Sequence, residues 1–302
     1  MTHRFALPLA ACAFAVLAGC ATVSLEETAR PAAPPEPNLP PRAEVALAIT
    51  QSSQLIRFNA GQPQQILSRV PITGLAAGDE ILGLDLRAAQ DAWYVLGRQR
   101  LYRLNPRSGE LRAVGQPFAV ALTGTDFGFD VNPAVDRIRV VSDAGQNLRL
   151  HPDTGAVLDA DEQRPGVQTD PPLAYATGDA NAGRTPRVVA AAYTYNKQNF
   201  RMTTNYALDA ATGALVTQGT REGVTPAVSP NTGQLYTVGR LGFDFDRAEF
   251  DIHVFHGTAF AALTVRGESR SRWVLIDLNT GAATWLGTVG GGEAVRAMAL
   301  EP

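Results

Sequence analysis

Lysine is almost absent from this chain of 302 residues, since Lys197 is the only one. Schiff-base chemistry and a P-loop, which both depend on a lysine, are therefore nearly excluded. Two cysteines and four histidines leave few ligands for metal or thiol chemistry. Basic residues number 26 against 29 acidic ones. This balance lacks the excess positive charge that nucleic-acid binding requires.

Helical periodicity and nucleophile motifs are missing as well. Beyond the N-terminal segment, no apolar pattern repeats at the 3.6-residue spacing of a helix. There is no G-x-S-x-G motif, and the three glycines at 290–292 lead into another strand-like segment, which excludes a dinucleotide loop. What is present is 45% hydrophobic residues, 28 glycines and 20 prolines. This composition predicts a globular fold with many tight turns.

The N-terminus has the pattern of an export signal. A short basic start precedes an apolar run over residues 5–18, which is short for a membrane span. The run ends in LAGC at residues 17–20, which resembles a bacterial lipobox. We therefore expect cleavage before Cys20 and its acylation, with palmitate as a representative chain. Ala21, in place of an aspartate, favours sorting to the outer membrane, facing the periplasm; a plain secretory signal is the alternative.

Composition divides the chain into three parts. Residues 1–19 are the predicted signal peptide, and residues 20–43 are the lipidated cysteine with a tether. Six prolines between positions 31 and 41 favour an extended polyproline II conformation for that tether. Residues 44–302 are the predicted folded domain.

A strand–turn–strand pattern with glycine at the turn recurs along this domain. The copies are residues 55–61 (LIRFNAG), 101–115 (LYRLNPRSGELRAVG), 148–158 (LRLHPDTGAVL), 206–216 (YALDAATGALV) and 274–287 (VLIDLNTGAATWLG). Each predicts a β-hairpin, because glycine adopts the positive φ of such turns without strain. Two more strands precede several copies, as in residues 83–96 and 128–141, so a full unit has four strands.

Five four-stranded units predict an all-β fold, namely a β-propeller of five blades. The first unit has only three strands, and residues 295–302 would supply its innermost strand and close the ring. Closure of this kind leaves no free sheet edge for aggregation. A six-bladed ring, with an extra blade opening in residues 225–238, and a β-sandwich are the alternatives.

Several segments resemble one protein family. They are residues 70–74 (VPITG), 123–133 (TGTDFGFDVNP), 136–142 (DRIRVVS), 145–149 (GQNLR), 178–183 (GDANAG) with Tyr175 before it, and 287–292 (GTVGGG). Together they are similar to the DUF4394 family over residues 46–300. The resemblance implies a secreted or surface β-propeller, and it implies neither an activity nor catalytic residues.

Three aspartates are the candidate site. Asp85 and Asp130 share one position of the predicted innermost strands, and Asp251 is the third candidate, with Asp244 as its alternative. Because innermost strands line the propeller axis, these carboxylates could converge and bind a cation such as Ca²⁺, orient a sugar, or act as acid and base. The competing interpretation is structural: an aspartate before a turn commonly accepts backbone N–H bonds. No other cofactor is predicted.

Histidine and arginine offer weaker candidates. On a strand, His253 and His256 would face opposite sides and could not share a metal. His151 stands where other copies of the hairpin have asparagine or aspartate, so we expect it to form the turn. The remaining candidates for an anionic glycan or phosphate are Arg137, Arg139 and Arg149. Their expected internal partners are the nearby carboxylates Asp126, Asp130, Asp136 and Asp143.

Two functions of different classes fit this sequence. The first is a non-catalytic binding or scaffolding module, held at the cell envelope by its lipid and presenting loops to an envelope glycan or protein. The alternative is a periplasmic hydrolase or lyase acting on glycan through the axial aspartates.

Overall fold

A computed structural model describes residues 1–3 and 35–302, and residues from Glu36 to Pro302 form one compact unit. The predicted signal peptide and Cys20 fall almost entirely outside the described residues. Within the described part of the chain, no helix is long and apolar enough to cross a membrane.

Twenty strands build the compact unit. They are β1 (Val45–Thr50), β2 (Gln54–Asn59), β3 (Ile66–Pro71), β4 (Ile81–Arg87), β5 (Ala92–Gly97), β6 (Leu101–Leu104), β7 (Leu111–Val114), β8 (Phe127–Asn132), β9 (Arg137–Ser142), β10 (Asn147–Leu150), β11 (Ala174–Tyr175), β12 (Val188–Tyr193), β13 (Asn205–Asp209), β14 (Ala214–Gln218), β15 (Gln234–Arg240), β16 (Phe245–Ile252), β17 (Ala259–Val265), β18 (Ser271–Ile276), β19 (Ala283–Thr288) and β20 (Val295–Leu300).

These strands form five sheets arranged as the blades of a β-propeller. From the axis outward the blades run β20-β1-β2-β3, β4-β5-β6-β7, β8-β9-β10, β12-β13-β14-β15-β11 and β16-β17-β18-β19. Each innermost strand neighbours the next around the ring, and β16 meets β20. The predicted five-bladed propeller is confirmed. Residues 225–238 do not open a sixth blade, because β15 is the fourth strand of blade four.

The C-terminal strand closes the ring as predicted. β20 runs antiparallel to β1, with Ala299 opposite Leu47 and Met298 opposite Ala48. All four of these side chains are buried. Glu301, just beyond β20, accepts a hydrogen bond from Arg57 Nε at 2.6 Å, which fastens the last residues to the third strand of the blade.

Two blades depart from the expected four strands. In blade three the fourth segment keeps one bridge, between Leu150 and Val157. Asp159 then accepts the N–H groups of Asp161 and Gln168, which turns the chain away from the sheet. Blade four gains a fifth strand instead, because β11 pairs in parallel with β15 at the outer edge.

The recurring turn is confirmed, although one copy has a different place in its blade. The side chains of Asn105, Asp277 and His151 each accept a backbone N–H two residues further along the chain, which confirms the turn-forming role of His151. In blade four the turn at Gly213 joins the second and third strands, whereas those at Gly109 and Gly281 join the third and fourth. The copies therefore share the chemistry of the turn, although the copy in blade four joins a different pair of strands.

Aromatic packing joins blade five to blade one. Trp273 is fully buried, stacks on Phe260 at 5.3 Å and meets Phe58 edge-on at 4.9 Å between ring centroids. Its indole N–H donates to Ala60 O at 3.0 Å, so the polar atom of this large side chain is satisfied across the blade boundary.

Candidate functional site

The three predicted aspartates meet on the propeller axis. Asp85 lies in β4, Asp130 in β8 and Asp251 in β16, and all three are buried. One carboxylate oxygen from each lies within 4.8 Å of the others. Asp244 precedes β16 and is exposed, so it is not part of the cluster.

Backbone amides of neighbouring blades hold these carboxylates. Asp85 Oδ2 accepts the N–H of Val131 in the next blade at 2.7 Å, and Asp251 Oδ2 accepts that of Leu300 at 2.7 Å. Burial raises the pKa of Asp130 most strongly, whereas the backbone of Tyr193 in the next blade lowers it. Asp85 and Asp251 each tie their own inner strand to the following one.

Alanine at two positions of this ring accounts for its asymmetry. Ala192 of β12 and Ala299 of β20 take the place that aspartate has in the other inner strands. Because Ala192 in blade four has no carboxylate, the backbone amide of Ile252 in blade five has no carboxylate acceptor in the blade before it. Asp251 Oδ1 accepts that amide at 2.6 Å. An inner-strand amide that would otherwise face the axis unpaired is thus satisfied.

The environment of the cluster favours protonation. Burial raises the pKa of Asp85 and Asp130 well above their usual range, and the charges of the neighbouring aspartates raise it further. Burial also raises the pKa of Asp251 to about 6. Desolvation disfavours charge, and nearby carboxylates repel one another. The cluster is consequently able to share protons or to hold a cation among its three carboxylates, and a divalent cation such as Ca²⁺ fits this oxygen donor set.

A cavity of about 290 Å³ opens onto the aspartates. Tyr193, Tyr195 and Arg87 line it together with the cluster. Arg87 is not a free charge there, because its guanidinium pairs with Asp136 and Asp153.

The placement of the two histidines on a strand, with their rings on opposite sides, is wrong. His253 and His256 follow the end of β16 and lie in a turn, where their rings stack at 4.5 Å between centroids. His253 Nδ1 accepts the N–H groups of Phe255 and His256, so it is the turn-forming group.

A larger cleft lies between blades three and four. Its volume is about 680 Å³, and its walls come from β9, β10, the end of β12, the β12–β13 loop and the β14–β15 loop. Five arginines and one acidic residue line it: Arg137, Arg139, Arg149, Arg201, Arg221 and Glu222. We call this space the arginine cleft.

The expected pairing of the arginines is partly wrong. Arg139 Nη1 and Arg149 Nε donate to Asp170 at 2.6 and 2.8 Å, so these two are paired internally. Their partner is none of the four aspartates expected. Among the described residues, Arg137 donates to the carbonyl of Asp136, at 2.7 Å, and to no carboxylate. Three of the four expected aspartates have other partners: Asp126 pairs with Arg247, Asp136 with Arg87, and Asp143 accepts from Thr125. The fourth, Asp130, belongs to the axial cluster.

Sequence reasoning missed half of this cleft. Arg201 and Arg221 come from loops of blade four and lie more than fifty residues from Arg137 and Arg149 along the chain. Asp170 precedes two prolines in a loop without a repeat pattern, and no signal in the sequence marks it. Only the docking of blade four against blade three brings these groups together.

A closed five-bladed propeller with an acidic axis is the class of protein that these features define. The chain belongs to the family described as domain of unknown function (DUF4394), whose model matches residues 54–299. This confirms the resemblance seen in the sequence. A sequence comparison with curated proteins gives no match.

Two of the solved structures that are similar to this chain illustrate the comparison. Dihydro-heme d1 dehydrogenase NirN, in complex with DHE, is 13% identical with a TM-score of 0.38; the match covers 83% of this chain and 46% of that one. A protein of unknown function from Bacteroides thetaiotaomicron is also 13% identical, with a TM-score of 0.43 and coverage of 79% and 56%. The chain spans about half the length of these two, and at such scores neither carries an argument about function.

Proposed function

We propose that this protein is a ligand-binding module of the bacterial cell envelope and that it does not transform its ligand. The observation that carries the proposal is the arginine cleft, about 680 Å³ of open space between two blades. That volume falls in the range of small-molecule binding sites, which are usually largely pre-formed clefts. The ring that frames the cleft is closed by β20, so its walls have little freedom to separate.

The axial aspartates favour binding over catalysis. Asp251 accepts two backbone amides and Asp85 accepts one from the next blade. A carboxylate whose oxygens are held in this way serves first to join inner strands. Breaking these bonds to free a general base would expose buried amides, at a cost of about 1–3 kcal/mol for each group.

Attachment to the membrane is the second element of the proposal. The LAGC sequence at residues 17–20 supports acylation of Cys20 and a position on the outer membrane facing the periplasm, with residues 21–43 as spacer. Cells fed a clickable palmitate analogue are expected to label the protein in the membrane fraction. Cys20→Ala should abolish the label and release the protein from that fraction, whereas Cys12→Ala should change neither. Label retained in Cys20→Ala would contradict the anchor.

Binding and turnover are measured together to test the module itself. Purified protein is titrated with envelope polysaccharide and with envelope protein extracts, and the recovered ligand is analysed by mass spectrometry. We expect saturable binding and an unchanged ligand. Absence of binding to any fraction, or turnover that copurifies with the protein, would overturn the proposal.

A second candidate function is glycan hydrolysis or elimination at the axis. It is favoured by the closeness of the three carboxylates, the pKa of about 6 for Asp251 and the cavity above them. A group that titrates near the working pH suits acid–base catalysis. Turnover that is lost in Asp130→Asn but retained in Asp244→Asn, an exposed aspartate outside the axial cluster, would favour this candidate over the binding module.

A further inference from the structure

We infer that the arginine cleft binds an acidic oligosaccharide, with Arg137 and Arg201 as the groups that meet its anionic substituents. The inference rests on the proposed binding function and names its ligand class. Three features carry it: uncompensated positive charge, a fixed floor, and neutral hydrogen-bonding groups on the walls.

The positive charge of the cleft is only partly compensated. Asp170 pairs with Arg139 and Arg149. Within residues 35–302, Arg137, Arg201 and Arg221 make no ion pair with a carboxylate. Arg221 also lines the cleft, but its guanidinium donates to the carbonyl of Leu278 in blade five at 3.1 Å and lies over the Tyr206 ring, so its charge is held against blade five. Two cationic groups, Arg137 and Arg201, therefore remain, against Glu222 as the acidic group of the walls.

The floor of the cleft is fixed by a buried network. Arg139 is 3% exposed and donates to Asp170, to Asn147 Oδ1 at 2.8 Å and to Asn231 Oδ1. Asn231 belongs to the β14–β15 loop of blade four, so this arginine of blade three holds the opposite wall in place. Such a pre-organised wall lowers the entropic cost of binding a ligand.

Neutral polar groups argue for a sugar rather than a bare anion. The walls include the amides of Asn132 and Asn231, the hydroxyls of Thr203 and Ser229, and the phenol of Tyr193. The amide oxygens of Asn132 and Asn231 accept from Ala134 N and from Arg139, which leaves their NH₂ groups as available donors. Hydroxyl-rich ligands need donors and acceptors of this kind, and the arginines suit carboxylate or phosphate substituents.

The probes separate anionic sugars from other ligands. Isothermal titration uses trigalacturonate for a carboxylate sugar, glucose 1-phosphate for a phosphate sugar, neutral maltotriose, inorganic phosphate and triglutamate. We expect one or both anionic sugars to bind at least tenfold more tightly than maltotriose, phosphate and triglutamate. Their affinity should fall as salt rises, since screening weakens charge pairing. The preferred anionic sugar identifies the substituent.

Point variants locate the binding site. Arg137→Gln and Arg201→Gln should each weaken binding of the preferred anionic sugar roughly tenfold, which corresponds to about 1.4 kcal/mol. Arg270→Gln, an exposed arginine of the β17–β18 loop in blade five, is the matched control and should change nothing. Glu222→Gln should strengthen binding severalfold, since it removes negative charge from the wall. Unchanged melting temperatures verify that each variant is folded.

The outcomes distinguish a wrong ligand class from a wrong proposal that the protein is a binding module. Equal binding of maltotriose and the acidic sugars, or selective binding of triglutamate, would overturn the acidic sugar and leave a binding module intact. Binding that is insensitive to both arginine variants would place the ligand elsewhere on the ring. If no probe binds, the inference fails, while binding of envelope fractions by the same preparation would still uphold the proposed function.

Discussion

A chain that ends at Ala294 is expected not to fold into a stable propeller. This truncation removes β20, whose Val295, Met298 and Leu300 side chains are buried. Burial of such side chains stabilises a protein by about 1.5–3 kcal/mol each, and total stability is typically about 5–15 kcal/mol. The loss also leaves the inner edge of β1 unpaired, which is a template for aggregation. Circular dichroism and a urea titration measure the result.

Two controls separate the strand from the chain end. Removal of Glu301 and Pro302 alone deletes the half-exposed ion pair with Arg57 and should change stability only slightly. A peptide of residues 293–302, added to the truncated chain, should restore the folded spectrum by pairing with β1. A cooperative unfolding transition in the truncated chain without the peptide would show that closure by β20 is dispensable.

Asp251→Asn is expected to change how stability depends on pH. The pKa of Asp251 rises from its ordinary value of 3.8 to about 6 in the folded protein. A group with a raised folded-state pKa contributes stability that is fully present below the unfolded pKa and is lost as pH rises through the folded pKa. The loss therefore falls mainly between pH 4 and 6, and the rise in pKa corresponds to roughly 3 kcal/mol.

Asparagine does not ionise, so it escapes this loss. It accepts one backbone amide fewer, however, which lowers the stability of the variant by a similar amount at every pH. The stability of the variant minus that of the wild type should thus increase by roughly 3 kcal/mol between pH 4 and pH 7.5. Urea titrations at each pH, in the presence of a chelator, give the two free energies of unfolding.

A second aspartate supplies the control for this series. The pKa of Asp277 is lowered by the backbone amide of Asn279, so its contribution is lost only as pH falls below its ordinary value of 3.8. The stability difference for Asp277→Asn should accordingly stay flat between pH 4.5 and 7.5. An equally flat difference for Asp251→Asn would show that its carboxyl ionises freely, contrary to its burial.

Calcium distinguishes the two states open to the axial cluster. If the carboxylates hold a cation, 1 mM Ca²⁺ at pH 7.5 should raise the melting temperature of the wild type and not that of Asp130→Asn. Equal melting temperatures with and without Ca²⁺ would indicate that the carboxylates share protons and do not hold Ca²⁺.

Local chemistry explains why so much of the ring was predictable. Each hairpin turn depends on a side-chain acceptor and a nearby glycine, as at Asn105 and Gly109. Both signals lie within a few residues of sequence, so they survive without tertiary information. The same holds for the final strand, because the first unit visibly has one strand too few.

The axial cluster was predictable in position but not in chemistry. The repeat places Asp85 and Asp130 at equivalent positions of two inner strands. Side chains at equivalent positions of the inner strands lie at the same height around the propeller axis. The amides that hold them belong to the next blade, 46 residues further along the chain in the case of Val131. A sequence has no local signal for such a bond.

Blade five and blade three show where local signals mislead. From the sequence, His253 and His256 are expected on a strand, but β16 ends at Ile252 and both residues lie beyond it. In blade three, the Asp159 carboxylate competes with the sheet for backbone amides and the fourth strand shrinks to one bridge. Side-chain acceptors and strand pairing draw on the same donors, and the balance depends on neighbouring blades.

By itself, the sequence determined the all-β class, the repeat of five blades, the closing strand and the ring position of the aspartates, because each follows from patterns a few residues long. Only the tertiary structure determined where the arginine cleft forms and that its Arg139 pairs with Asp170. Arg139, Asp170 and Asn231 lie far apart along the chain, and charge becomes a binding site only when separate blades bring it to the same space.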